Sequence, residues 1–132
     1  MPILIVKNKT NMSQRTVKII YYTATSLLSA LMLSSGVSYF LNHAAVAESF
    51  STLGYPAHLV YPLAIAKLLG IVAIWTKLSN TLKEWAYAGF FFDFLIAFAA
   101  HFYAGDGEFV GALVAMLLLL VSYRFEKSLT AA

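Results

Sequence analysis

The sequence predicts an all-α membrane protein: four transmembrane helices in an up-down bundle, with both termini in the cytoplasm. Three observations carry this reading. Apolar residues make up 61% of the chain and charged residues 11%, against about 45–50% and about 25% in soluble domains. Four apolar runs near spanning length are separated by short polar breaks. Lysines and arginines populate alternate breaks, which is the pattern that sets membrane orientation.

The 132 residues hold one domain. A basic arm, about residues 1–18, precedes a single four-helix unit at about residues 19–129, and mean hydropathy is +0.77. The net charge of +3 is spread along the membrane-flanking segments and forms no dense patch, so no nucleic-acid partner is expected. The chain has no cysteine. That excludes a disulfide, a thiolate zinc site, a cysteine-ligated iron–sulfur cluster and a dithiol relay, and it leaves the compartment unread.

The first helix is expected at about residues 19–41, after an arm that carries Lys7, Lys9, Arg15 and Lys18 and no acidic residue. Ala45-Val46-Ala47 resembles a cleavage site, but the apolar run before it exceeds the roughly 7–15 residues of a signal h-region, so the segment reads as an uncleaved helix. Its small and hydroxyl residues, including Ser26, Ser29, Ala30, Ser34, Ser35 and Gly36, permit close helix approach. A short amphipathic helix and a Gly54-Tyr55-Pro56 turn follow, since Gly and Pro punctuate and Pro56 biases Tyr55 out of the helical region. The second and third helices, about residues 58–78 and 83–103, flank a polar break at Ser79-Asn80-Thr81. Gly105-Asp106-Gly107 ends the third helix, and the fourth spans about residues 109–127, where Arg124 and Lys127 snorkel to lengthen a short apolar run.

Chemistry concentrates at two charges. Lys67 and Asp93 each stand 13 residues from Asn80 on either side, which puts them at one depth, about 20 Å from the turn. A direct or water-bridged intramembrane ion pair is the expectation. Each charge alone costs about 2.5–3.5 kcal/mol, so such residues are functional-site candidates by default. A register device, a proton or ligand site and lipid snorkelling all remain open for the pair. Gly70 and Gly89 share helix faces with Lys67 and Asp93 and are expected to bring the two backbones together. On the outer side, topology gathers His43, Glu48, His58, His101, Asp106 and Glu108. Their spacing matches no zinc or di-iron motif, so no metal is assigned. Haem ligation by two histidines lacks a second helical histidine at a depth matching His101. No nucleophile elbow, phosphate loop or catalytic triad order is present, and no catalytic residue is assigned.

The runs LGYPAHLVYPLAIAKLLG (Leu53 to Gly70) and LKEWAYAGFFFDFLIAFAAHFYAGD (Leu82 to Asp106) resemble the DoxX-like family of small four-helix bacterial membrane proteins. The similarity covers Tyr22 to Val121. It implies four spanning helices in the bacterial cytoplasmic (inner) membrane and little chemistry. A complete bundle without recognisable catalytic residues points to an auxiliary or interaction subunit of a membrane assembly, without catalytic activity of its own. A membrane subunit of a quinone-linked oxidoreductase is the alternative the family suggests, with an apolar bundle receiving a prenylated ring near Trp85, Tyr87 and His101. A small proton-coupled transporter or channel is a third reading, resting on the mid-membrane charges. Quinone is the one cofactor considered. The expected partners are the lipid bilayer and either a membrane protein or further copies of the chain.

Orientation is directly testable because the native chain lacks cysteine. A single cysteine at Asp106 should react with an impermeant reagent in intact cells, and one at Asn80 should react only after lysis. The reverse pattern would invert the bundle.

Overall fold

Capping and left-handed turns set the helix boundaries in the computed structural model, which describes residues 13–131. Five α-helices follow: α1 (Gln14–Leu41), α2 (His43–Thr52), α3 (Val60–Thr76, entered through a 3-10 turn at Ala57–Leu59), α4 (Asn80–Ala104) and α5 (Phe109–Ala131). No strand occurs among the described residues. Four segments among the described residues are long and apolar enough to cross a membrane: Gln14–Leu41, Ala57–Thr76, Asn80–Ala104 and Phe109–Leu129.

α1 starts earlier than expected, because Ser13 caps it: its Oγ accepts the Thr16 N–H at 3.2 Å, satisfying one of the orphan donors of a first turn. Arg15 and Lys18 thereby join the helix, while Lys7 and Lys9 of the predicted arm lie outside the described residues. The α3–α4 turn also shifts. Lys77, with φ 53 and ψ 29, ends α3 in the left-handed conformation, and Ser79 caps α4 by accepting the Leu82 N–H at 3.2 Å. Asn80 and Thr81 are therefore the first turn of α4 and not the break itself. Serine serves better as a cap than as a mid-turn residue. Lys77 tolerates its backbone geometry with its ammonium 4.8 Å from the centre of the Tyr21 ring. At the other end of α4, Gly105 with φ 67 donates to the His101 and Phe102 carbonyls, the glycine-dependent stop that a Cβ would disfavour. α5 runs past residue 127 to Ala131.

α1 packs against α3 and α5, and α4 packs against the same two helices, so the bundle is a closed up-down ring without diagonal backbone contact. The start of α1 and the end of α5 share one end of the ring, the basal end. The short α2 covers the other end as a roof. The packed core is small: Leu28 and Met32 of α1, Ile74 of α3, Tyr87, Phe90 and Phe94 of α4, and Ala115 and Leu119 of α5. Large apolar side chains elsewhere point outward, among them Leu69, Val72, Leu117 and Leu120. That inversion suits a hydrocarbon solvent, where exposure of leucine costs nothing and the backbone must be satisfied inside each helix.

The two glycines expected to mirror each other differ. A Cβ on Gly70 would lie 2.5 Å from Cζ of Phe90, so the ring of α4 seats directly on the backbone of α3. A Cβ on Gly89 would meet nothing within 4 Å. The close approach expected there is not made, because Gly89 faces a cavity. Gly36 makes a second tight contact, 3.2 Å from its Cβ position to Leu68 Cδ2, at the α1–α3 seam.

Alanine should separate these glycines. Gly70→Ala forces Phe90 off its seat and should lower stability by about 1–3 kcal/mol, the usual cost of overpacking. Gly89→Ala should be neutral or stabilise by up to about 1 kcal/mol through helix propensity. Thermal unfolding in detergent, followed by circular dichroism, reads both; equal losses would contradict the geometry.

Candidate functional site

Residues four apart stand above one another on a helix face, and Gly89, Asp93, Ala97 and His101 form such a row on α4. This row faces a gap toward α3 and the roof. An upper cavity of about 410 Å³ lies beneath α2, lined by Tyr39, Tyr55, Leu63, Gly89, Asp93 and His101 among others. A lower cavity of about 300 Å³ continues it, sharing Leu63, Gly89 and Asp93 and adding Lys67, Gly70, Trp85 and Phe90. The walls are apolar apart from a few convergent polar groups, and the volumes are those of small-molecule sites.

Lys67 is buried in the second cavity's wall. Its Nζ donates to Ser35 Oγ at 2.8 Å and stands 3.9 Å from the centroid of the Tyr39 ring. Both partners belong to α1. The direct ion pair expected with Asp93 is not made: no ion pair among the described residues joins the two. The physical reason is that Ser35 and Tyr39 of α1 hold the ammonium, one through a charge-assisted hydrogen bond and the other through a cation–π contact. The two charges nonetheless border the same cavity, and Asp93 lies within reach of the Lys67 field.

The roof is held by rings. Tyr39 and Phe50 meet edge-on with centroids 5.7 Å apart, His43 stacks on Tyr61 at 4.3 Å, and Phe40 stacks on the same ring at 5.4 Å. No residue of α2 is buried, so these ring contacts carry its attachment. Below it, His101 Nδ1 lies 2.8 Å from Asp106 Oδ2, and Asp106 Oδ1 accepts the Glu108 N–H at 2.9 Å. These bonds, the one with His101 first, hold the Asp106 carboxyl below the usual carboxylate range. Of the outer polar residues, the structure joins only His101, Asp106 and Glu108 in this way, and no group of three metal-ligating side chains forms among the described residues.

Trp85, Tyr87 and His101 do not form one site. Trp85 lines the lower cavity and His101 the upper one. Tyr87 follows Trp85 by two residues, a rotation of about 200° around the helix, and is buried against α5, with its hydroxyl 2.7 Å from Ser122 Oγ. There it belongs to a basal polar layer that the sequence reading missed. Ser122 Oγ also lies 2.6 Å from Thr25 Oγ1, Lys83 Nζ donates to Glu126 Oε1 at 2.5 Å with both side chains buried, and Lys127 pairs with Glu84. A signal existed: Lys83-Glu84 and Glu126-Lys127 are opposite-order dipeptides on antiparallel helices. They complement each other once the helices are brought together.

Four apolar helices around a thin core, with lipid-facing side chains on the outside, define a multi-pass integral membrane protein. The sequence profile of the DoxX-like family matches residues 23–123, and the chain belongs to that family. No curated protein and no solved structure matches it.

Two double-mutant cycles should give different couplings. Lys83→Met leaves Glu126 buried without its ammonium and should cost about 3–5 kcal/mol, with much of the loss recovered in the Lys83→Met, Glu126→Leu double variant. Lys67→Met and Asp93→Leu act across a gap and should be closer to additive. Folded yield and melting in detergent measure both cycles, and a larger coupling at Lys67–Asp93 would refute the assigned partners.

Proposed function

We propose that this protein is an auxiliary subunit of a membrane assembly, without catalytic machinery of its own, that holds a small lipophilic molecule between α3 and α4. The observation that carries the reading is the two-chambered apolar cavity with Asp93, Lys67 and His101 at its walls. The packed core supports it: Leu28, Ile74, Phe90 and Leu119 close together beside a gap with room for a small molecule. We place the basal end in the cytoplasm and the roof outside on the strength of the lysine and arginine distribution, and take a bacterial inner membrane from the family resemblance.

The quinone suggested by the family resemblance fits by volume. Lys67 and His101 would supply donors to its carbonyl oxygens, and the apolar walls at Leu63, Ile96 and Ala97 would receive the tail. When bound, such a ring supplies two-electron redox chemistry; the chain's own residues bind and orient it and exclude water. Asp93 has no counterpart on an oxidised ring. The proton-transporter reading gains less support, because the apolar layer of Phe90, Phe94 and Leu119 separates the charged cavity from the basal polar layer.

Isolation in native-lipid particles followed by mass spectrometry tests the reading. The wild type should carry a small apolar molecule at near-stoichiometric level together with a membrane protein partner. Gly89→Leu, whose side chain enters the open space beside Gly89, should fold and lose the small molecule. The same bound molecules in both proteins would overturn the proposal.

A further inference from the structure

The unusual feature of the cavity is a gap between opposite charges. Lys67 and Asp93 border one chamber without an ion pair between them. The two are not equivalent. Lys67 has Ser35 and Tyr39, whereas the Asp93 side chain makes no hydrogen bond among the described residues. A carboxylate lining an apolar chamber at this depth needs a donor, since desolvation without a partner is expensive. The Lys67 ammonium has three N–H groups and gives one to Ser35, so it retains donors for an acceptor in the chamber. Between them the chamber is bordered by aromatic rings, Trp85 and Phe90, and by the backbone face at Gly89, which has no neighbour within 4 Å.

We infer that this gap is the seat of the ligand's head, and that the head is an aromatic ring carrying a hydrogen-bond donor at one side and an acceptor at the other. A hydroxyaryl ketone with an aliphatic tail is the simplest member of that class. Its hydroxyl donates to Asp93, its carbonyl accepts from Lys67, its ring packs against Trp85 and Phe90, and its tail rises into the upper chamber along Leu63, Ile96 and Ala97. The inference rests on the ligand-holding role proposed above and adds the chemistry of what is held.

The test uses three probes with the same chain length: 4-hydroxydodecanophenone, its methyl ether 4-methoxydodecanophenone, which lacks the donor, and 4-dodecylphenol, which lacks the carbonyl. The full-length protein carries Trp75→Phe, so that Trp85 is its sole tryptophan and its emission reports occupancy of the lower chamber. The ketophenol should bind at least about tenfold more tightly than either analogue, the difference a charged hydrogen bond makes. Asp93→Leu should erase the preference over the methyl ether, and Lys67→Met the preference over the phenol. Equal affinity of the three probes for the parent protein overturns the inference, and that comparison decides by itself if a variant fails to fold. Gly89→Leu separates the two levels: it should abolish binding of all three. Undiminished binding in that variant overturns the cavity reading itself, whichever probe is preferred.

Discussion

The contact between Lys83 and Glu126, 2.5 Å long and buried on both sides, fixes the register of α4 against α5, and the remainder of the bundle follows from that seam. In hydrocarbon, apolar side chains give helices no preference for one another over lipid, so interhelical hydrogen bonds and close packing must choose the register. The pair lies beside Tyr87, Ser122 and Thr25, whose hydroxyls join α1, α4 and α5 at the same level. A buried ion pair is weak evidence for stability and better evidence for specificity. Sliding α5 by one turn would pull Lys83 and Glu126 apart, and the hydroxyl layer would open with them.

With α4 tied to α5 at the base and α1 tied to α3 through Lys67–Ser35 and Trp75–Ser29, the α3–α4 seam rests mainly on Phe90 against Gly70. Above that contact the helices leave a chamber. The glycine that looked like a second packing point, Gly89, instead opens its floor. Thus one aromatic ring on one glycine both closes the core and forms part of the cavity wall. The roof helix, held by ring contacts without a buried residue of its own, sets the upper limit.

Much of the architecture was legible in sequence. Hydropathy and the polar breaks located the four spans to within a few residues, and Gly54, Pro56 and Gly105 located the turns, because these depend on local backbone chemistry and on the thickness of a bilayer. Boundaries moved where a cap intervened, as at Ser13 and Ser79. The site was legible only as a set of candidates. Lys67 and Asp93 were found because a charge inside an apolar run is conspicuous, and both do border the cavity. Their direct pairing was read from equal depth, which says nothing about which way a long lysine side chain turns.

By itself, then, the sequence determined that this chain carries four segments able to cross a membrane, roughly where each lies, and which ionisable groups stand within the apolar runs. These are properties of segments one helix long, which run length and turn residues express. Only the tertiary structure decided the partners: Lys67 with Ser35 and Tyr39, Lys83 with Glu126, Tyr87 turned from the cavity onto Ser122, Gly70 filled and Gly89 open. Those outcomes depend on the rotation of each helix about its axis and on the neighbour that captures each side chain first. In a bundle whose surface and core are equally apolar, hydropathy carries almost no record of that rotation.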